Sequence, residues 1–424
     1  MISVRRFRLY PSKGVKTKLF SSFDKCCSVY NYCLEHQIFK DSVLPSLKQE
    51  YPELYEVHSI VLQNVVHQLQ NNLHVLHALK AKGHRVGKLR FKKRHHSMIF
   101  EQTGFKIDGD TLVLSKIGRI SMRVSQPIAG TVKQVIVKCN KTYKWFACLV
   151  CEDSIESLKA IGRKTVGIDL NVSNFCTDSD GLVVEHPQNV KKASKQLAKQ
   201  QQKLSHKKKG SNNRRRQKRR VTLVHERVEL RRNDFLHKLS RYYVNRYDLI
   251  AVEDLNINGL VQINGSSMRK LMLDAGWRKF IDFCGYKAES AGKRRVKVNP
   301  NGTSQNCSFC GRVVRKSLSE RVHRCGFCRV VVPRDYNAAL NIKHRGLEMV
   351  GWDTAEPSLP NYVGKSRTLA EIKISTLVRE REQILVEEAR ISRLLVGESV
   401  NHEQLVLPIA SRASHALALM VPLW

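Results

Sequence analysis

Acidic residues are scarce in this chain of 424 residues, which has 37 Asp and Glu against 74 Lys and Arg. The formal net charge of +37 is unevenly spread, because residues 345–424 hold nine basic and ten acidic side chains. The first 344 residues therefore carry a net charge of +38. A folded protein this basic repels itself unless a polyanion neutralises it, and nucleic acid is the polyanion that we expect.

The chain also lacks the marks of a membrane or secreted protein. It has no apolar run that could span a bilayer, no secretory leader after Met1 and no lipidation motif, which disfavours an anionic membrane as the rival partner. Eight of the 12 cysteines form no regular disulfide framework, which favours a reducing compartment. We therefore expect no membrane partner, and a cytoplasmic location with association to the nucleoid when DNA is bound.

The order of short apolar runs and periodic segments predicts an α+β multidomain protein. Residues 1–158 are predicted to form a strand-rich domain with a helical insertion at about 15–83, which contains helices over Phe23–Gln37 and Glu53–Lys82. Strands and helices follow over residues 159–344, with a hairpin around the Asp-Ser-Asp-Gly turn at 178–181. The tail of residues 345–424 is near neutral and contains a predicted amphipathic helix.

A run of positive charge follows the predicted hairpin. Residues 191–220 hold 14 Lys and Arg and no Asp or Glu, and Gly210 is predicted to separate two helices, the second over Val221–Asn245. A solvated helix face is the alternative explanation, but this many cations exceed what solubility needs. We predict that they contact phosphates and not bases. The candidate contacts are Lys191, Lys192, Lys195, Lys199, Lys207, Lys208, Lys209, Arg214, Arg215 and Arg216, together with Lys92 and Lys93 of the earlier "FKKR" segment.

Two cysteine pairs have the spacing of a metal site. Cys307 and Cys310 form one C-x2-C pair, and Cys325 and Cys328 form another after 14 residues. Four thiolates in two such pairs can surround one Zn²⁺ tetrahedrally, whereas four unrelated buried thiols would seldom be paired in this way. Because four sulfur ligands leave no open coordination position, we predict a structural zinc.

Three acids stand where an α/β fold exposes catalytic groups. Asp169 ends the apolar strand "TVGID", Glu253 ends "LIAVE", and Asp335 begins the helix after the cysteine pairs. An Asp at a helix start is often only a cap, but three converging carboxylates would bind Mg²⁺ and support phosphodiester hydrolysis. Asp254 competes with Glu253, because strand alternation lets only one of the two face the site.

The segments "VGIDL", "AVEDLNINGL", "GTSQNCSFCG" and "PRDYNAALNI" occur in this order and resemble the TnpB family, transposon-encoded RNA-guided nucleases related to type V CRISPR effectors. The resemblance implies a wedge or recognition domain at 1–158 and a split RuvC-like nuclease domain of RNase H fold at 159–344. The nuclease domain would include the basic helical segment 187–246 and a zinc-ribbon insertion at 304–332. Asp169, Glu253 and Asp335 would take the three catalytic positions, which favours Glu253 over Asp254 by analogy.

The resemblance also implies the reaction. We expect an RNA-guided DNA endonuclease that is a monomer in its complex and cuts double-stranded target DNA beside a short motif. Its cofactors would be a guide RNA, catalytic Mg²⁺ or Mn²⁺ and structural Zn²⁺. A protein-only transposase or structure-specific nuclease is one alternative, and a regulator that binds nucleic acid without cutting is the other. The three acids argue against the regulator.

Overall fold

The computed structural model of the chain describes residues 2–152, 163–263, 265–317, 319–352 and 366–367. The amphipathic helix predicted in the tail lies outside the described residues. The chain divides into two compact units, the first formed by Met1–Lys159 with Ala193–Glu229 and the second by Ala160–Lys192 with Leu230–Trp424. This division differs from the predicted one in the basic segment, because residues 193–229 group with the first unit, whereas the prediction assigned 187–246 to the nuclease domain.

The first unit contains a sheet of seven antiparallel strands in the order β2-β6-β7-β1-β5-β4-β3. The strands are β1 (Ile2–Tyr10), β2 (Ser97–Glu101), β3 (Phe105–Asp108), β4 (Thr111–Leu114), β5 (Gly118–Arg123), β6 (Thr131–Cys139) and β7 (Trp145–Glu152). Strand β1 forms despite its charge because its residues alternate: Phe7 and Leu9 are buried in the core, while Arg6 is exposed. The predicted strand-rich region is therefore confirmed at the level of its secondary structure.

Three helices pack with this sheet, α1 (Lys13–Glu35), α2 (Leu44–Glu50) and α3 (Ser59–Ala81). Helix α1 begins ten residues before the predicted start, because Ser12 after Pro11 caps it by accepting a 3.4 Å hydrogen bond from the Val15 N–H. Helix α3 begins later than predicted, because residues 52–56 form a separate 3-10 turn. The core of the unit includes Trp145 of β7, whose ring stacks on Phe23 of α1 with 5.5 Å between the centroids.

The second unit contains a mixed sheet in the order β12-β11-β8-β9-β10-β15. Its strands are β8 (Thr165–Leu170), β9 (Cys176–Asp178), β10 (Val183–Val184), β11 (Leu249–Glu253), β12 (Arg294–Val298) and β15 (Ser366–Arg367), and the small ribbon β13 (Val322–Arg324) with β14 (Val331–Pro333) lies between β12 and β15 in the chain. Strands β8, β11 and β12 are mutually parallel, and β8, β9 and β10 pair antiparallel. The predicted hairpin at 178–181 is confirmed by the β9–β10 pairing.

The remaining described helices are α4 (Asn189–Ser205), α5 (Asn212–Arg246), α6 (Ile257–Ile263), α7 (Ser266–Ala275), α8 (Trp277–Ser290) and α9 (Arg334–Val350). Helices α4 and α5 are separated near Gly210 as predicted, but α5 begins nine residues before the predicted Val221. The earlier start follows from Ser211, whose hydroxyl accepts a 3.1 Å hydrogen bond from the Arg214 N–H. None of the helices that the structure describes is long and apolar enough to cross a membrane.

Helix α9 packs directly on the parallel strands through two glycines. A Cβ atom added to Gly167 of β8 would lie 2.1 Å from the Ala339 carbonyl oxygen and 2.4 Å from the Lys343 nitrogen, both backbone atoms of α9. A Cβ added to Gly346 of α9 would lie 2.5 Å from the Ala251 Cβ of β11. The absent side chains therefore set how closely the helix approaches the sheet.

We expect Gly167→Ala to destabilise the second unit by about 1–3 kcal/mol or more, because the added methyl must push a helix backbone away from a buried strand. Thermal and urea unfolding of the full chain measure the change. The matched control is Gly14→Ala in α1, where an added Cβ meets nothing within 4 Å. Equal stability of the two variants would show that the close contact between α9 and β8 is not needed.

Candidate active site

The three predicted acids lie at one edge of the second unit's sheet. Strands β8 and β11 are parallel, and Val252 pairs with Ile168, so the next residues along each strand, Glu253 and Asp169, are neighbours. Both side chains are buried, with 7% and 9% of their surface exposed. Asp335 is half-buried in the first turn of α9, the helix that packs on β8. Elements far apart in the chain therefore bring the three carboxyl groups to one end of the strands.

The structure distinguishes Glu253 from its competitor Asp254. Glu253 is the last residue of β11 and is buried, whereas Asp254 is exposed and forms a 3.0 Å ion pair with the Lys297 Nζ. The alternation of side chains along the extended chain accounts for this difference. Of the two acids, Glu253 is the one buried at the site edge.

Electrostatic interactions link the three carboxyl groups. Burial raises the pKa of Asp169 well above its usual range, and the charges of Glu253 and Asp335 raise it further. Burial also raises the pKa of Glu253, against a hydrogen bond from Thr303 and the charge of Arg345, which lower it. The pKa of Asp335 is raised by burial and lowered in part by the nearby Arg321 and Arg334. These acids form one cluster in which removing charge, or adding a cation, is favourable.

Arg334 also lies near this site, although no sequence pattern had predicted it there. Its charge lowers the pKa of both Asp169 and Asp335, and its guanidinium donates a 3.2 Å hydrogen bond to the Ser317 carbonyl oxygen. The sequence feature that could have indicated its presence at the site is its position directly before Asp335 in "PRDYN". Arg334 therefore supplies positive charge beside two of the acids.

The four predicted cysteine ligands converge beside the β13–β14 ribbon. Their Sγ atoms all lie within 4.8 Å of one another, with 3.5 Å between Cys307 and Cys328 and 3.6 Å between Cys310 and Cys325. A tetrahedron with metal–sulfur bonds of about 2.3 Å has edges of about 3.8 Å, which is close to these separations. All four thiols are free of disulfide bonds. Among the described residues, the three acids do not form such a compact set of ligand atoms.

Most of the predicted phosphate contacts are exposed, as a phosphate-binding face requires. The exposed side chains are Lys93, Lys191, Lys192, Lys195, Lys199, Lys207, Lys208, Lys209, Arg215 and Arg216. In the first unit, α4 and the start of α5 are joined by Gln217, whose amide donates a 2.9 Å hydrogen bond to the Gln200 carbonyl oxygen. This hydrogen bond fixes α4 against the start of α5, and so fixes the basic side chains of the two helices relative to one another.

Two of the predicted contacts, Lys92 and Arg214, are engaged within the protein. Lys92 is half-buried, and its Nζ lies 3.7 Å from the centre of the Tyr30 ring and 3.3 Å from the Gln68 Oε1. The Arg214 guanidinium donates hydrogen bonds of 2.9 and 2.8 Å to the carbonyl oxygens of Leu204 and Lys207, which fix the connection between α4 and α5. Both side chains have structural roles that a count of charges could not reveal.

A polar side chain that no sequence motif had indicated also contacts one of the acids. The Thr303 hydroxyl donates a 2.6 Å hydrogen bond to the Glu253 Oε1, and Thr303 is 4% exposed. The Asn341 side chain of α9 donates a 2.8 Å hydrogen bond to the Thr303 carbonyl oxygen. Asn337 and Asn341, four residues apart in "DYNAALN", were the available signal, because i and i+4 residues share one helix face.

Two family models and several curated proteins are similar to this chain. The family OrfB_IS605, described as "Probable transposase", matches residues 148–264, and "Cas12f1-like, TNB domain" matches residues 277–342. A Streptomyces pristinaespiralis protein named "Putative RNA-guided DNA endonuclease" is 32% identical over 81% of this chain and 89% of its own length. The Escherichia coli (strain K12) relative InsQ, which has the same description, is 32% identical over 61% of this chain and 68% of its own length.

A solved structure shares the fold. The cryo-EM structure of a Cas12f1-sgRNA-target DNA complex contains a chain that is similar with a TM-score of 0.50 at 12% identity, over 81% of this chain and 98% of that one. The α+β multidomain prediction is therefore confirmed. With these relatives, the chain belongs to the TnpB family, as its motifs predicted.

Proposed function

We propose that this chain is an RNA-guided DNA endonuclease that hydrolyses phosphodiester bonds at Asp169, Glu253 and Asp335. The observation that carries the proposal is the convergence of these acids at the ends of β8 and β11 and the start of α9. The two curated relatives with RNA-guided endonuclease names support the choice of reaction. In this proposal the second unit is a RuvC-like domain of RNase H fold, and the β13–β14 module is inserted between β12 and α9.

The donor set of the acids fits Mg²⁺ or Mn²⁺. All three ligands are carboxylate oxygens, which hard divalent cations prefer, and the mutual repulsion of the buried acids creates a demand for positive charge. Bound ions of this kind supply Lewis-acid stabilisation and a bound water of lowered pKa. The protein's part is to hold the acids ionised and oriented. Arg334 adds a fixed charge that favours the ionised state of Asp169 and Asp335.

The cysteine cluster fits a structural Zn²⁺. Four reduced thiols with near-tetrahedral separations complete the coordination sphere, so no position is left for substrate. Backbone hydrogen bonds shape both knuckles, from the Gly311 N–H to the Cys307 carbonyl oxygen and from the Cys325 N–H to the Val330 carbonyl oxygen. Zinc would hold together a small module in which several apolar side chains, such as Val313, Phe327 and Val331, are exposed and do not form a core.

Guide RNA and target double-stranded DNA are the proposed partners. The positively charged helix pair α4–α5 suits backbone phosphates, and target choice would come from base pairing with the guide, beside a short motif read by the protein. Residues 1–158 would act as the wedge or recognition domain, residues 159–344 as the nuclease domain, and residues 345–424 as the tail. A single copy per complex and a cytoplasmic, nucleoid-associated location stay predictions.

Replacement of Cys325 by Ser should remove zinc from the purified protein and unfold the module around β13 and β14. A structural zinc can contribute on the order of 10 kcal/mol to the folding of a small module. Metal analysis by mass spectrometry and limited proteolysis of the module measure the two effects. The matched control is Cys284→Ser, which alters a buried free cysteine outside the cluster. Purified wild-type protein that contains no zinc would contradict the assignment of a structural zinc to the four cysteines.

The double variant Arg215→Gln/Arg216→Gln should bind nucleic acid more weakly at every salt concentration. If both side chains contact phosphates, the slope of log affinity against log salt should become shallower by about 1.5–2. The reason is that fewer counterions are released from the nucleic acid when two phosphate contacts are missing. Fluorescence anisotropy with labelled RNA across a salt series measures the slope. Arg214→Gln is the contrasting variant, which should lower thermal stability through its lost backbone contacts. An unchanged slope in the double variant would identify these residues as a solvated helix face.

Asp169→Asn should bind RNA and target DNA but lose cleavage, because the amide keeps the shape of the acid without its charge. Losses of cleavage for Asn or Gln at the three positions should be non-additive, since the acids act as one unit.

The RNA-guided activity itself is tested by changing only the guide segment of the RNA in the purified complex. Cleavage should move to the newly complementary DNA. Cleavage that stays at the old site would support the protein-only nuclease, and binding without any cleavage would support the regulator.

A further inference from the structure

A buried hydroxyl lies against one of the proposed metal ligands. Thr303 is in the turn between β12 and the cysteine module, and its Oγ1 lies 2.6 Å from the Glu253 Oε1. Both side chains are buried, with 4% and 7% of their surface exposed. A hydrogen bond to a carboxylate that is this short and shielded from water is both strong and directional.

The hydroxyl of Thr303 has one proton and two acceptors within reach. Besides the Glu253 Oε1 at 2.6 Å, the Pro300 carbonyl oxygen lies 2.9 Å from Oγ1. When Glu253 is ionised, the proton belongs with the carboxylate, because charge-assisted hydrogen bonds are roughly twice as strong as neutral ones. Among the described residues, the one hydrogen bond to the Glu253 carboxyl group is made to Oε1, so the second oxygen, Oε2, has no such partner. One carboxylate oxygen is thus held while the other stays available as a ligand.

Helix α9 fixes the position of Thr303. The Asn341 Nδ2 donates 2.8 Å hydrogen bonds to the carbonyl oxygens of both Thr303 and Asn306. One turn earlier, the Asn337 Nδ2 donates a 2.8 Å bond to Asn306, and its Oδ1 accepts a 3.0 Å bond from the Ser308 N–H. The two asparagines are at most 9% exposed, so water does not compete with these bonds. The helix that begins with Asp335 therefore also sets the hydroxyl that contacts Glu253.

We propose that Thr303 is a positioning residue for Glu253, whose hydroxyl holds Oε1 so that Oε2 can bind a divalent metal ion. Glu253 has one more rotatable bond than the Asp ligands, so it has the most freedom to lose when a metal binds. A partner that already orients a ligand preserves part of the binding free energy. The inference rests on the proposed metal-dependent function and adds Thr303 to the residues that serve it.

The test compares Thr303→Val, which keeps the shape and removes the hydroxyl, with Thr303→Ser, which restores it. Thr165→Val is the matched control: Thr165 is also buried, but its hydroxyl bonds to the Arg163 carbonyl oxygen at the opposite end of β8 from Asp169. Binding of Mn²⁺ to the full chain without RNA is measured by electron paramagnetic resonance. Cleavage by the RNA complex is then measured against Mg²⁺ concentration, after thermal unfolding confirms that each variant is folded.

We expect Thr303→Val to weaken Mn²⁺ binding about tenfold and to raise the Mg²⁺ concentration for half-maximal cleavage by a similar factor, as loss of a ligand's orienting partner does. The rate at saturating Mg²⁺ should largely recover. Thr303→Ser and Thr165→Val should both stay near wild type. A Thr303→Val protein with wild-type Mn²⁺ affinity and Mg²⁺ dependence would overturn the inference, and so would an equal loss in Thr165→Val.

The same measurements separate this inference from the proposed function. If the wild-type complex does not cut DNA but Thr303→Val still weakens Mn²⁺ binding, the endonuclease proposal fails and the positioning role is supported. If Asp169→Asn leaves Mn²⁺ binding unchanged, no metal binds at the acids and the positioning role is overturned with it. Cleavage by wild type with a metal dependence that is unaltered in Thr303→Val supports the proposed function and overturns the inference alone.

Discussion

The contact between the backbone of α9 and strand β8 at Gly167 is the constraint on which the second unit depends. A helix normally rests on a sheet through side chains, but here a strand residue without a Cβ lets helix backbone atoms reach the strand surface. This close approach fixes the start of α9, and with it Asp335, relative to Asp169 on the same strand. The three carboxyl groups are therefore positioned by backbone packing, which is stiffer than a contact between long side chains.

The same helix connects the acids to the cysteine module. Asn337 and Asn341 lie on the face of α9 that holds the chain entering the module, at Thr303, Asn306 and Ser308. The module is thus connected to α9 by buried hydrogen bonds as well as by the peptide chain. Thr303, which forms a hydrogen bond with Glu253, is only four residues before Cys307. A structural change at the cysteine cluster can therefore alter the position of Glu253.

Some elements of the fold and of the site could be predicted from the sequence, and others could not. Strands ending in Asp169 and Glu253 were predictable because apolar runs that end in a single acid are distinctive, and the paired cysteine spacing was equally informative. Side-chain alternation shows that Glu253 and Asp254 face opposite ways but not which of them faces the site, so before the structure only the family resemblance favoured Glu253. Lys92 and Arg214, which were predicted to contact phosphates, also make contacts within the protein, with the Tyr30 ring and with backbone carbonyl oxygens. Composition alone does not show such contacts.

The order of the three acids along the chain has a consequence for how the protein is made. Asp169 and Glu253 leave the ribosome before Asp335, and the basic helix pair α4–α5 also precedes α9. Domains generally fold as units during synthesis, the N-terminal ones first. A nascent chain that has emerged to the end of α5 therefore carries the positive charge of the helix pair α4–α5 but still lacks Asp335 and α9, the helix whose Asn341 contacts Thr303. Translation itself delays the appearance of the proposed activity until the cysteine module and α9 are complete.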